Sequence, residues 1–135
     1  RARLKDFAGS PLVVYFYPKD DTAGCTREAL DFTSRLGAFA KAGAAVLGVS
    51  RDSAASHEKF AAKHGLKHAL GADEDGTMTE AYGVFVEKSM YGRKFMGVER
   101  ATVLIDAKGK VARIWRKVKV PGHVEEVLAA VKALG

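Results

Sequence analysis

The chain of 135 residues has one cysteine, Cys25. No disulfide can form within it, so a disulfide-stapled scaffold is excluded and stability has to come from a core. A Cys-x-x-Cys pair is absent, which argues against dithiol–disulfide exchange. No glycine-rich phosphate loop follows a strand, and the Gly92-x-x-x-x-Gly97 stretch lacks the Lys-Ser/Thr ending that would hold a nucleotide. There is no Gly-x-Ser-x-Gly nucleophile elbow. The longest apolar runs are far too short to span a bilayer, and no signal-peptide pattern is visible. Repeats, linkers and low-complexity segments are also missing. The histidines do not make a metal centre: Gly65 breaks the helix between His64 and His68, and His57 and His64 have neither cysteine nor a carboxylate set beside them. No metal and no cofactor are expected.

What is present is ordinary in amount. Hydrophobic residues make up 47% and charged residues 28%, the composition of a globular domain. The length fits a single domain spanning 1–135, of a size that buries roughly two thirds of its extended-chain surface. Net charge is +6. The densest basic stretch, Lys108 to Lys119, alternates with Val111, Ile114, Val118 and Val120, which reads as a half-exposed strand. Neither a nucleic-acid nor a membrane partner is expected. A lone cysteine favours a reducing compartment, so a cytoplasmic location is expected. The chain begins at Arg1 and not at Met, so an N-terminal truncation is expected.

The most informative stretch is Leu12 to Cys25. Leu12-Val13-Val14-Tyr15-Phe16-Tyr17 is β-branched and aromatic without polar alternation, the pattern of a strand buried on both faces. Pro18 ends it. After the loop 18–24, Cys25, Ala29, Phe32, Leu36 and Phe39 recur on one helical stripe. With Thr22 as N-cap, Cys25 falls in the first turn. There the unpaired N–H groups and the positive end of the helix dipole favour thiolate over thiol, and the thiolate is the nucleophile. Asp20 and Asp21 oppose this if they face the sulfur and do not if they face away. Cysteine is also a common core residue, and Cys25 lies on the apolar stripe, so an inert thiol competes with a reactive one.

The rest of the chain follows in order. Residues 1–11 form a polar lead-in anchored by Leu4 and Phe7. The first helix is expected to run to about Lys41 or Ala42, with Gly43 as its stop and Gly37 as a weak point. Ala44 to Ser50 is a second buried strand, parallel to the first. Asp52 or Ser53 caps a helix that ends at Gly65. A short strand near 67–71, a turn at 73–76 and a short helix at 77–82 come next. Residues 83–97 read as strand and loop near the site. Arg100 to Asp106 and Lys110 to Lys117 form a hairpin, with Trp115 at the core edge. A final helix over 122–134 presents Val124, Val127, Leu128, Val131 and Leu134, and His123 belongs to its start and not to catalysis. This order gives an α/β, thioredoxin-like fold with a central mixed β-sheet flanked by helices.

Pro18-x-x-x-Thr22-x-x-Cys25 resembles the active-site pattern of the peroxiredoxins. Phe16 to Thr26, Gly97 to Asp106 and Trp115 to His123 are similar to the bacterioferritin comigratory protein, or peroxiredoxin Q, branch. The resemblance covers nearly the whole chain from Leu4. It implies a thiol-dependent peroxidase acting on hydrogen peroxide and organic hydroperoxides, with Cys25 as the peroxidatic cysteine. Thr22 would supply a hydroxyl to the thiolate or the peroxide, Pro18 a shield over the sulfur, and Arg100 the guanidinium that holds the thiolate and polarises the O–O bond. Glu28, one turn after Cys25, would help to organise the site by holding Arg100 or a backbone group. Monomer is the favoured state, with a family-type dimer as the alternative.

The departure from the branch is a resolving cysteine. Many members carry one five residues after the first, where this chain has Leu30. Oxidised Cys25 would therefore need an external thiol, thioredoxin, glutaredoxin or glutathione, unless a resolving cysteine was lost by substitution or with a truncated N-terminus. Because Cys25 is on the inward stripe, the first turn of its helix would have to open to present the oxidised sulfur. Two readings compete with the enzyme: a redox sensor or chaperone-like binder that oxidises without turnover, and a thioredoxin-like binding domain with an inert cysteine.

Overall fold

In the computed structural model, which describes residues 9–134, the strand expected from Leu12 is β1 (Leu12–Phe16), the middle of a five-stranded sheet. The anchors Leu4 and Phe7 lie outside the described residues. The chain continues through α1 (Ala23–Ser34), α2 (Leu36–Lys41), β2 (Ala45–Ser50), α3 (Ala54–His64), β3 (Ala69–Ala72) and α4 (Thr77–Ala81). It then forms β4 (Phe85–Met90), β5 (Arg93–Val98), β6 (Ala101–Ile105), β7 (Val111–Trp115) and α5 (His123–Leu134). The sheet order is β3-β2-β1-β6-β7. β1 is parallel to β2 and antiparallel to β6, so the sheet is mixed. The expected fold class is the observed one.

Period-two alternation explains why β1 needs no polar face. Val13, Tyr15 and Tyr17 join a cluster with residues of α1, α2, α3 and α5, including Cys25, Phe32, Phe39, Phe60 and Val127. Leu12, Val14 and Phe16 join the opposite cluster, with Leu47, Val49, Val84, Val98 and Val103. Tyr15 stacks on Phe32 with ring centroids 4.5 Å apart. It also lies across β2 at Gly48, where a Cβ would come within 2.7 Å of the phenol. Only glycine leaves room for that ring.

Three details differ from the sequence reading. The first helix is divided at Arg35, two residues before Gly37, where the backbone leaves helical geometry at φ −105°, ψ 4°. The inward stripe continues across the break, since Phe32 and Phe39 are both fully buried. Residues 85–98 form a regular antiparallel hairpin, paired from Phe85↔Val98 to Met90↔Arg93. Its turn, Tyr91-Gly92, has positive φ at both positions, as a two-residue hairpin turn requires. At the far end, Leu134 is exposed although it continues the stripe of α5. Other local signals act as expected: Ser53 caps α3 by accepting from Ser56 N–H at 3.1 Å, and left-handed Gly65 ends it. Among the described residues no helix is long and apolar enough to cross a membrane.

Candidate active site

Cys25 is the third residue of α1, at the C-terminal end of β1, the edge of an open α/β sheet where ligands bind. Its residue is 1% exposed and belongs to the cluster under α1. Hydrocarbon does not surround the sulfur on every side. Arg100 Nη2 donates to Cys25 Sγ at 3.3 Å, and Arg100 Nη1 donates to Glu28 Oε1 at 2.7 Å. The guanidinium thus bridges two groups on successive turns of one helix. Its backbone is fixed as well: the Arg100 carbonyl, just before β6, accepts from Val118 N–H at 2.9 Å. Burial disfavours the cation, but Glu28 and Cys25 together hold it firmly charged. Gly24 completes the cradle, since a Cβ there would stand 3.1 Å from Arg100 Nη2.

Glu28 is fully buried, and its Oε2 has no hydrogen-bond partner among the described residues. Burial raises its pKa to about 7 from the ordinary 4.5, even though Arg100 pulls the other way. Because the folded value is the higher one, protonated Glu28 stabilises the fold below about pH 4.5, and this contribution is lost as pH rises through about 7. The shift is worth about 3 kcal/mol. Glu28→Gln keeps an acceptor for Arg100 and has no proton to lose. Denaturant titrations between about pH 5 and pH 8 should show the wild type losing that much more stability than the variant. Parallel curves would contradict the assignment.

The other expected residues lie in the loop. Thr22 occupies the N-cap position with extended backbone, but its exposed hydroxyl donates to the Lys19 carbonyl at 3.0 Å and makes no side-chain cap. Pro18 is half-buried between β1 and the loop. Asp20 and Asp21 both turn away from the sulfur toward α3. Asp20 is buried and accepts from Tyr17 Oη at 2.6 Å, Ser56 Oγ at 2.8 Å and His57 Nδ1 at 2.7 Å. The exposed Asp21 pairs with Lys63 Nζ at 2.7 Å and His64 Nε2 at 2.8 Å. With both carboxylates engaged and no acidic residue in the first turn, the positive end of α1 is left to the sulfur.

His57 was not legible as part of this arrangement. Its Nδ1 faces the Asp20 carboxylate and its Nε2 faces the Gly71 carbonyl at 3.0 Å, so both nitrogens donate and the ring is cationic. Burial alone would lower its pKa, but the bond to Asp20 raises it on balance. The other buried histidines are neutral. Burial lowers His68 and His123 to about 4, and they bond to Tyr15 Oη and Thr102 Oγ1. Among the described residues no group of three or more His, Cys, Asp or Glu could hold a metal ion. The hairpin β4–β5 does come near the site: Lys88 lies close enough to feel Arg100 and Cys25, and burial and Arg100 lower its pKa.

The AhpC/TSA family model matches residues 1–114. Peroxiredoxin Bcp of Xanthomonas campestris pv. campestris is 53% identical over 130 residues, 96% of this chain and 81% of that protein. This chain belongs to the AhpC/TSA family, in its peroxiredoxin Bcp branch. Peroxiredoxin Bcp of Bacillus subtilis is 45% identical over 130 residues, covering 96% of this chain and 83% of the relative. A solved structure of the Xanthomonas campestris bacterioferritin comigratory protein, described for its alkyl peroxide reduction activity, superposes with a TM-score of 0.93 at 52% identity. It covers 98% of this chain and 84% of that one. Xanthomonas campestris peroxiredoxin Q has been solved with serine at each of two different cysteines. Where that peroxiredoxin has at least two cysteines, this one has Cys25 alone.

Proposed function

We propose that Cys25 is the peroxidatic sulfur of this thiol-dependent peroxidase, and that Arg100 and the start of α1 stabilise it through the reaction. The contact that carries this reading is Arg100 Nη2 to Cys25 Sγ at 3.3 Å. The thiolate attacks the terminal oxygen of a hydroperoxide; an S–O bond forms as the O–O bond breaks. Cys25 becomes a sulfenic acid, and the departing alkoxide or hydroxide takes a proton to leave as alcohol or water. Negative charge moves from sulfur to the leaving oxygen, and a planar, permanently charged fork attracts both ends of that path. Glu28 positions the fork from behind. Thr22 and Pro18 are assigned by the motif, Thr22 to bond the bound peroxide and Pro18 to shield the sulfur.

Hydrogen peroxide and small organic hydroperoxides are the substrates. The sulfenic acid condenses with one external thiol to a mixed disulfide with loss of water, and a second thiol releases Cys25. Thioredoxin, glutaredoxin and glutathione are the candidate donors. The chain acts as one domain and as a monomer. Peroxide consumption measured with each donor in turn tests this reading. Continuous turnover with at least one is expected. Stoichiometric oxidation with none would favour the sensor, and an unreacted Cys25 would favour the inert binding domain.

A further inference from the structure

The loop that delivers Cys25 is held by α3 through contacts the chemistry above does not use. Asp20 has both carboxylate oxygens occupied, by Tyr17, Ser56 and His57. Its N–H donates to Asp52 Oδ2 at 2.8 Å, and Asp52 is itself fixed by Ser50 Oγ at 2.6 Å. Asp20 and His57 are both buried, with side chains 4% and 5% exposed. The next residue, Asp21, sits in the left-handed region at φ 59° and is gripped by Lys63 and His64. Two successive loop residues are therefore tied to one helix, close before the turn that buries the sulfur.

This matters because the two halves of the reaction need different states of that turn. Peroxide attack needs α1 intact and Arg100 in contact with the sulfur. Reduction needs a bulky thiol to reach a cysteine that is 1% exposed. With no second cysteine in the chain, the opened state is the only route back.

We propose that Asp20 and His57 are positioning residues, a latch that holds the Cys25 loop closed for peroxide attack and whose release sets the rate at which an external thiol reaches the oxidised sulfur. The inference rests on the peroxidase reading above. A reaction confined to the open state runs in proportion to its population. Losing a hydrogen bond between charged groups raises that population by an order of magnitude or more.

The test separates the half-reactions in Asp20→Asn, His57→Gln and their combination. Oxidation of the reduced protein by hydrogen peroxide and reduction of the preformed sulfenic acid by glutathione are each followed by rapid quenching and intact mass. Reduction should accelerate about tenfold while oxidation slows by far less, since a tenfold rise in a minor open state takes little from the closed one. The double variant should match the single ones, since either change opens the same latch. Asp21→Asn removes only exposed ion pairs and leaves the core untouched. It should shift both rates in the same directions by a smaller factor, so the test survives even if a buried variant folds poorly. Both half-reactions slowing together, or neither changing, would overturn the latch and leave the peroxidase reading standing. A wild type that takes up no oxygen at Cys25 would remove both.

Discussion

Cys25→Ser is expected to abolish peroxide consumption. The oxygen of serine is smaller and more polar than sulfur, but Arg100 Nη2 stands where it can donate to the hydroxyl, so the cluster around Phe32 and Ala29 need shift little. What changes is the nucleophile. An alcohol at neutral pH has almost no anion available, and neither the positive end of α1 nor Arg100 comes close to supplying the deficit. The variant should fold with near wild-type stability, still place a hydroxyl beside Arg100, and consume hydrogen peroxide no faster than buffer. With one cysteine in the chain, no second thiol can substitute. Residual turnover above background would mean that the chemistry runs elsewhere.

Arg100→Ala is expected to lower kcat/KM for peroxide by about 10³-fold, the upper end of the loss seen when one donor to a developing oxyanion is removed, because this donor also carries a full charge. The guanidinium is largely buried, 17% exposed, and touches both the attacking sulfur and its positioning carboxylate. Removing it leaves Glu28 buried without a partner, which would ordinarily threaten the fold. Glu28 has an escape, because its pKa already stands at about 7 and it can take up a proton. The variant should therefore remain folded at mildly acidic pH, and the rate loss can be read as chemistry. Arg100→Lys restores the charge but only one compact donor group, which cannot bridge Cys25 and Glu28 as the fork does. It should recover only part of the rate.

Much of this arrangement was written locally. The double-faced apolar run of β1, the stop at Pro18, the inward stripe from Cys25 to Phe39, the Ser53 cap and Gly65 are short-range signals, and each stands where its chemistry put it. Arg100 and Glu28 were legible only through resemblance, because nothing within a few residues of either says that they meet. The β4–β5 hairpin was harder. Its strands are polar on much of both faces, and Tyr91 adopts positive φ without being a glycine, asparagine or aspartate. The direction of Asp20 was not readable at all. It depends on Ser56 and His57, 36 and 37 residues away, arriving on α3. Spacing could have hinted at it, since α3 carries Ser56, His57, Lys63 and His64 near a loop with two adjacent aspartates.

The central claim is that the sulfur of Cys25 reacts with peroxide because Arg100 holds it. Rapid-quench mass spectrometry of reduced wild type and Arg100→Ala, mixed side by side with stoichiometric hydrogen peroxide, measures this before any thiol donor takes part. The wild type should gain a single oxygen at Cys25, and the variant should gain the same oxygen about 10³-fold more slowly. Equal rates in the two proteins, or an oxygen found on any residue other than Cys25, would contradict it.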